Sequence, residues 1–199
     1  MTTFFWTAAA YLLGSISFAI VLSKAFGMAD PRSYGSNNPG ATNMLRSGRK
    51  NVALLTLLGD ALKGFLPVML AKQFTDLPVA ALCAIALAAF LGHLYPIFFG
   101  FKGGKGVATF LGAVLGLFPA VGGITMLVWL GVALLTRYSS ASSLTASVVT
   151  FVVLTYHWGV GMWMVWMAIM VGLLFWRHRG NISQLIEGTE SKLFSKKTP

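Results

Sequence analysis

Acidic residues and cysteine are both scarce in this chain. Only 5 of its 199 residues are Asp or Glu, against 15 Lys and Arg, and Cys83 is the single cysteine. One cysteine excludes a disulfide framework and a CxxC metal site. The three histidines stand in no HExxH spacing and beside no carboxylate cluster, so we predict neither a metal ion nor a cofactor. With so few acids, no Ser–His–acid triad is indicated.

Nucleotide and nucleic-acid signatures are absent from the sequence as well. The segment GGKG at residues 103–106 lacks the GxxxxGK[ST] spacing of a P-loop, and Val107 stands where Ser or Thr would be. No strand pattern precedes these glycines, which excludes a dinucleotide-binding fingerprint. The net charge of +10 is accompanied by no recognised nucleic-acid-binding motif, so we predict no nucleic-acid partner.

Long apolar runs take up most of the sequence. Hydrophobic residues make up 56% of it and charged residues 10%, where a soluble domain has roughly 25% charged residues. A spanning helix needs about 20 apolar residues, and runs of that order cover residues 4–26, 52–71, 79–99, 107–136 and 143–176. The sequence therefore predicts an all-α, multi-pass membrane protein. We expect one integral-membrane domain over residues 1–199, with a frayed basic tail from residue 190 onward.

The last two runs are too long to be single spans. Residues 107–136 would form a helix about 45 Å long, against a hydrocarbon core of about 30 Å. Pro119 and the glycines after it break this run, and the segment YHWGVG at residues 156–161 breaks the other. The pattern favours seven helices, of which the fourth to the sixth are short. Keeping both long runs whole would give five helices.

The distribution of cations predicts the orientation. With a periplasmic N-terminus, the segments 27–51, 100–106 and 137–142 lie on the same side as the C-terminal tail. That side then holds nearly all of the Lys and Arg outside the apolar runs, and only Lys72 lies in the opposite loops. By the positive-inside rule the cation-rich side is cytoplasmic, and so is the C-terminus.

Four donor-rich segments share the predicted cytoplasmic side. They read GSNNPGATNMLRSGRK, KGGKG, RYSSASS and RHRGNISQLIEGTESK, and the first three contain no acid. Glycine-rich turns can aim backbone N–H groups at an oxyanion, and a helix N-terminus adds partial positive charge. Arg46 can bind two oxygens at once, and Lys105 can act as a point charge. Each segment alone is also typical of a tight turn or a topology signal, but together they favour a phosphate site.

Two further features concern titratable side chains. Arg177 and Arg179 flank His178 and oppose its protonation, so we predict a neutral imidazole that accepts a hydroxyl proton or holds the hydroxyl. The alternative is a histidine that only faces lipid headgroups. Asp60 and Lys63, three residues apart in an apolar run, are predicted to form an internal salt bridge.

The motifs GSNNPGATNMLR, GFKGGKGVAT, RYSSASSL and RHRGNISQLIEGTE resemble those of the bacterial acyl-phosphate-dependent glycerol-3-phosphate acyltransferases, the PlsY family. The similarity runs over nearly the whole length. It implies a seven-helix enzyme of the bacterial inner membrane with its active site on the cytoplasmic side, and we expect a monomer. The implied reaction moves a fatty acyl chain from acyl phosphate to the 1-position of sn-glycerol 3-phosphate. Its products are lysophosphatidic acid and phosphate, and it is the first acylation of phospholipid synthesis.

Matched motif by motif, the resemblance implies roles for particular residues. It implies phosphate binding by Ser36, Thr42, Asn43 and Arg46, a phosphate-holding turn at Gly103, Gly104 and Lys105, a hydroxyl contact from Ser143, and glycerol hydroxyl contacts from His178 and Asn181. The expected catalytic residues are His178, Lys105 and Arg46. An acyl phosphate is already activated and needs no protein nucleophile. Either His178 or a substrate phosphate oxygen could remove the attacking proton. A membrane transporter of organic phosphate or another anion is the alternative function.

Overall fold

The structure is a computed structural model that describes residues 1–193, and α-helices make up most of that range. Within it there are ten α-helices and no strand, which confirms the all-α prediction. The helices are α1 Thr2–Gly14, α2 Phe18–Ala25, α3 Ala41–Arg46, α4 Lys50–Phe74, α5 Val79–Leu94, α6 Val107–Leu117, α7 Pro119–Thr136, α8 Ser139–Trp158, α9 Met162–Arg177 and α10 Arg179–Ile186. A short 3-10 turn at Ile97–Phe99 follows α5.

Four helices among the described residues are long and apolar enough to cross a membrane: α4, α5 with the turn that follows it, α7 and α8. The pair α1 and α2, bent by 44°, makes a fifth candidate span if it is counted as one. The outer surface of the bundle is correspondingly apolar, since Leu127 is 70% exposed and Leu135 is 87% exposed. Leucines at that exposure suit a lipid environment, and the chain is a multi-pass membrane protein.

Both predicted helix breaks are present. One helix ends at Leu117 and the next begins at Pro119, where a missing N–H is tolerated because the first turn has no acceptor for it. The other break lies between Trp158 and Met162, and Gly159 there takes a φ of 65°. The predicted start of α8 at residue 143 is wrong, because the helix already begins at Ser139. Its serine-rich first turns thus belong to the helix rather than to a loop.

The first apolar run was predicted as one continuous helix, and this is also wrong. It breaks between Gly14 and Phe18, where α1 ends and α2 begins. The carbonyl of Ile16, which the break leaves without a helical partner, accepts a hydrogen bond from Lys63 Nζ at 2.6 Å. The same ammonium lies 2.8 Å from Asp60 Oδ1, which confirms the predicted salt bridge. A buried ion pair and a satisfied carbonyl therefore stabilise the bend.

Close helix packing holds the centre of the bundle. A Cβ added to Gly64 of α4 would lie 2.1 Å from the carbonyl oxygen of Thr109 in α6, and one added to Gly112 would lie 2.0 Å from that of Ala61. Glycine at both positions lets the two backbones touch, as small residues do in membrane helix pairs. The helix α5 packs beside them with Phe90 fully buried. The polar segment between α5 and α6 is therefore anchored at both ends.

Candidate functional site

Asn43 organises the first polar loop. Its buried Nδ2 donates to the carbonyl oxygens of Pro31 at 2.8 Å and Tyr34 at 3.1 Å, and its Oδ1 accepts from the backbone N–H of Ser36 at 2.9 Å. Gly35 sits against it with a φ of 61°, and a Cβ there would lie 2.2 Å from Asn43 Oδ1. The predicted phosphate ligand Asn43 is thus occupied within its own loop, where it holds Ser36 in an exposed turn.

Two other residues predicted from this loop reach across to distant parts of the chain. The hydroxyl of Thr42 lies 3.1 Å from that of Ser139 at the start of α8. Arg46 is exposed and donates from Nη2 to Ser191 Oγ at 2.7 Å. These contacts bring α3 up to α8 and to the segment after α10.

The glycine turn is built differently from the predicted anion nest. The N–H groups of Gly103 and Gly104 donate to the carbonyl oxygens of Leu94 and His93, both at 3.2 Å, so they are not free for a ligand. Their carbonyls are bound as well, because Arg177 donates to Gly103 O at 2.7 Å and to Gly104 O at 3.1 Å. Arg177 therefore ties the end of α9 to the turn.

The free donors of this turn come immediately after it. Within residues 1–193 the backbone N–H groups of Lys105 and Gly106 have no acceptor. Gly106 takes a φ of 85° and directly precedes α6, whose first turn has no side-chain cap. Unpaired amides at a helix start carry partial positive charge and suit an anion.

Lys105 lies in the middle of the polar cluster. Its Nζ donates to Asn181 Oδ1 of α10. Burial lowers the pKa of Lys105 to about 8; the positive charges of Arg46 and Arg177 act in the same direction and the charge of Glu190 opposes them. The side chain is thus mostly charged at pH 7 and loses its charge as the pH passes 8.

The C-terminal segment, expected to fray from residue 190, makes tertiary hydrogen bonds as far as residue 193. Glu190 is buried; its carboxylate accepts from Asn181 Nδ2 at 2.8 and 2.9 Å and from Ser140 Oγ at 3.0 Å. The backbone N–H of Leu193 donates to Arg137 O at 2.6 Å. Tertiary hydrogen bonds hold this segment over the site, and the rest of the predicted tail, 194–199, lies outside the described residues.

His178 stands between α9 and α10 and is buried. Its Nδ1 lies 2.8 Å from Leu174 O, and a carbonyl oxygen can only accept, so Nδ1 carries the proton and Nε2 is left as an acceptor. Burial is the main reason that the pKa of His178 falls to about 4, with smaller effects from Lys105 and Arg177. The neutral form was predicted from the flanking cations, but desolvation is the larger cause.

Ser143 is the predicted residue least available to a ligand. Its hydroxyl donates to Ser139 O at 2.7 Å within α8 and accepts from Trp129 Nε1 of α7 at 3.1 Å. Its single proton is therefore already used, and only a lone pair remains.

The expected catalytic residues Arg46, Lys105 and His178 lie in one region of the protein. Lys105 feels the charge of Arg46, and His178 feels the charge of Lys105. Arg177 and Glu190 belong to the same cluster but were not predicted as site residues. Arg177 directly precedes His178, and Glu190 is an isolated acid in a basic tail, so each carried a weak signal.

Fold and site together define a multi-pass helical membrane protein with a cationic cluster of hydrogen-bond donors where several helix ends meet. Among the described residues, no group of three His, Cys, Asp or Glu side chains is placed to hold a metal ion. The family model for glycerol-3-phosphate acyltransferase matches residues 4–188. The chain belongs to this family.

Individual relatives agree with the family model over nearly the whole chain. The glycerol-3-phosphate acyltransferase of Burkholderia ambifaria is 56% identical over 193 residues, covering 94% of this chain and 89% of that protein. That of Methylobacillus flagellatus is 54% identical over 194 residues, covering 96% of both chains. A crystal structure of PlsY, an integral membrane glycerol 3-phosphate acyltransferase in its glycerol 3-phosphate form, is 41% identical with a TM-score of 0.91, covering 96% of each chain.

Proposed function

We propose that this protein transfers a fatty acyl group from acyl phosphate to the 1-position of sn-glycerol 3-phosphate. The products are lysophosphatidic acid and inorganic phosphate, in the first acylation of phospholipid synthesis. The supporting observation is the meeting of Arg46, Lys105, Asn181 and the free amides before α6 at one place beside a neutral His178. Both substrates carry phosphate, and such a site provides donors for phosphoryl oxygens without a competing nucleophile.

The cations and amides bind phosphoryl oxygens in this proposal. Arg46 neutralises the charge that grows on the leaving phosphate, since electrostatic stabilisation matters most where charge develops. Lys105 holds the phosphate of glycerol 3-phosphate. Ser36 and Thr42 add hydroxyl contacts from the first loop. The side chains of Asn43 and Ser143 and the backbones of Gly103 and Gly104 are already hydrogen-bonded, so they shape the site that the ligand meets.

His178 and Asn181 receive the glycerol hydroxyls. The lone pair on His178 Nε2 accepts a hydrogen bond from the 1-hydroxyl and orients its oxygen toward the acyl carbonyl carbon. That oxygen forms the new ester bond while the bond from carbon to the phosphate oxygen breaks, and phosphate leaves with the electron pair. An imidazole with a pKa of about 4 is a weak base, whereas a phosphate dianion takes up a proton near pH 6. A phosphate oxygen is therefore the final acceptor of the hydroxyl proton.

A seven-span topology accompanies this function. The five candidate spans are joined by two shorter apolar helices, α6 and α9, of about 16 and 24 Å at 1.5 Å per residue. With the N-terminus periplasmic, all donor-rich segments face the cytoplasm of a bacterial inner membrane. Maleimide labelling from outside intact cells, in a Cys83→Ser background, should reach Gln73→Cys and spare Lys102→Cys. The opposite labelling would overturn this orientation.

The whole chain acts as one domain and as a monomer in this proposal. Light scattering of the detergent-solubilised protein tests the monomeric state directly.

The decisive experiment on function uses purified wild-type protein with acyl phosphate and glycerol 3-phosphate. We expect phosphate release that depends on glycerol 3-phosphate, together with a 1-acyl product identified by mass spectrometry. Acyl-CoA in place of acyl phosphate should give no product. A transporter would carry glycerol 3-phosphate into proteoliposomes without releasing phosphate, and that result would refute the proposed acyl transfer.

A further inference from the structure

A buried acid faces a buried histidine beneath the glycine turn, a pairing that no sequence pattern predicted. Asp60 of α4 and His93 of α5 are 2% and 7% exposed, and Asp60 Oδ1 lies 3.6 Å from His93 Nδ1. Within residues 1–193, His93 Nδ1 has no hydrogen-bond partner. Lys63 Nζ lies 2.8 Å from the same oxygen and neutralises Asp60. The imidazole is therefore held in place by a charged neighbour and close packing.

The opposite edge of the same ring supports the turn. A Cβ added to Gly104 would lie 2.3 Å from His93 Nε2, so the imidazole and the Gly104 backbone are in direct contact. The carbonyl of His93 also accepts the N–H of Gly104 at 3.2 Å. Arg177 binds the turn through its carbonyl oxygens, 2.7 Å from Gly103 O and 3.1 Å from Gly104 O. The turn is thus fixed by α5 and by α9.

We propose that His93 is a positioning residue for the reaction: its imidazole, steadied by Asp60, supports Gly104 and thereby sets where Lys105 meets the substrate phosphate. Gly104 covers Nε2, so the ring does not touch the reacting atoms and acts only through the turn. This inference rests on the proposed function, because it takes the turn to carry a phosphate-binding lysine.

The test begins with His93→Ala. We expect the KM for glycerol 3-phosphate to rise about tenfold, with kcat changed far less, because the loss is in phosphate placement rather than in a reacting group. His93→Gln carries an amide that reaches the position of Nε2, so it should stay closer to wild type. If His93→Ala fails to fold, His93→Gln is measured in its place. Asp60 is a poorer choice for substitution, because its removal leaves Lys63 buried without its partner and destabilises the bend in the first span.

A double-mutant comparison separates support of the turn from a general packing effect. A Cβ at Gly104 would lie 2.3 Å from His93 Nε2 and 3.0 Å from the carbonyl oxygen of Pro39, so Gly104→Ala should raise the KM. His93→Ala removes the closer of these two contacts. Gly103→Ala is the matched control, since its Cβ would lie 2.0 Å from the backbone carbonyl oxygen of His93, which His93→Ala leaves in place. When Gly104→Ala and His93→Ala are combined, the factor by which the KM rises should be about tenfold smaller than the product of the two single-variant factors, as for residues in contact. When Gly103→Ala and His93→Ala are combined, the factor by which the KM rises should equal the corresponding product.

Binding of inorganic phosphate, measured by titration calorimetry, keeps this test independent of acyl transfer. If the wild-type protein binds phosphate but makes no acyl product, the proposed function fails, and weaker phosphate binding by folded His93→Ala still supports the inference. Two results would overturn the role of His93. One is phosphate binding as tight in folded His93→Ala as in wild type. The other is a rise in KM that equals the product of the single-variant factors in both double variants.

Discussion

The charge of Lys105 should control the alkaline side of the pH profile. Burial lowers the pKa of Lys105 to about 8, so the ammonium is the main form at pH 7 and the neutral amine the main form at pH 9. The protonated fraction falls about tenfold between those two pH values, from about 90% to about 10%. If the ammonium holds a phosphate, kcat/KM for glycerol 3-phosphate should fall by about the same factor over this range.

The assay follows phosphate release at subsaturating glycerol 3-phosphate from pH 6 to 10, after subtraction of the enzyme-free hydrolysis of acyl phosphate at each pH. The bound phosphate adds negative charge beside Lys105 and raises its pKa, so the fall in kcat should come at higher pH than the fall in kcat/KM. Lys105→Arg stays charged throughout and should lose the alkaline fall, whatever its absolute rate. Lys102→Arg, on the same segment, should keep it.

The lowered pKa of Lys105 also predicts how stability depends on pH, which helps to distinguish a loss of activity from a loss of folding. Since the pKa of Lys105 is lower in the folded protein than in the unfolded chain, the unfolded chain binds more protons between about pH 8 and 10.5. Stability should therefore rise with pH across that window. Lys105→Met removes the buried charge and should abolish activity at pH 7 without lowering the unfolding temperature. An alkaline fall that persists unchanged in Lys105→Arg would refute the role given to this residue.

Three more predictions follow from the charges and hydrogen bonds around Lys105 and His178. The negative charge of Glu190 raises the pKa of Lys105, so Glu190→Gln should move the alkaline fall to lower pH; a fall at higher pH would contradict this. Arg46 lowers the same pKa, so Arg46→Ala should move the fall to higher pH and weaken phosphate binding, while the exposed Arg49→Ala leaves both unchanged. His178→Ala should lower kcat by roughly a hundredfold with a small change in the KM for glycerol 3-phosphate, and an unaltered kcat would eliminate its role in orienting the hydroxyl.

Much of the fold could be predicted from local properties of the sequence. Long apolar runs require helices in a membrane, because backbone groups there must be satisfied within the segment. The breaks at Pro119 and around Gly159 were visible because proline and glycine act on the backbone where they stand. The Asp60–Lys63 pair followed from a spacing that places both side chains on one helix face. The break between Gly14 and Phe18 was not predicted, since the hydrogen bond that stabilises it comes from Lys63, 47 residues away from Ile16.

The candidate site could be predicted only in outline. Composition indicated a cationic cluster free of acids, but Glu190 closes it by joining Asn181 to Ser140, 50 residues earlier. Nothing local marks that contact. Likewise, the glycine turn was expected to offer its own amides, whereas α5 takes them and Arg177, 73 and 74 residues from the two glycines, binds the carbonyls.

By itself, the sequence determined a helical membrane protein with donor-rich segments gathered on one side, because hydropathy, helix breaks and charge act residue by residue. Only the tertiary structure decided which donors remain free, which are used within the protein, and that Asp60 faces His93 under Gly104. These outcomes depend on how α4, α5, α8 and α9 dock against one another. A hydrogen bond forms only where docking brings donor and acceptor within about 3 Å, and no pattern along the chain encodes that distance.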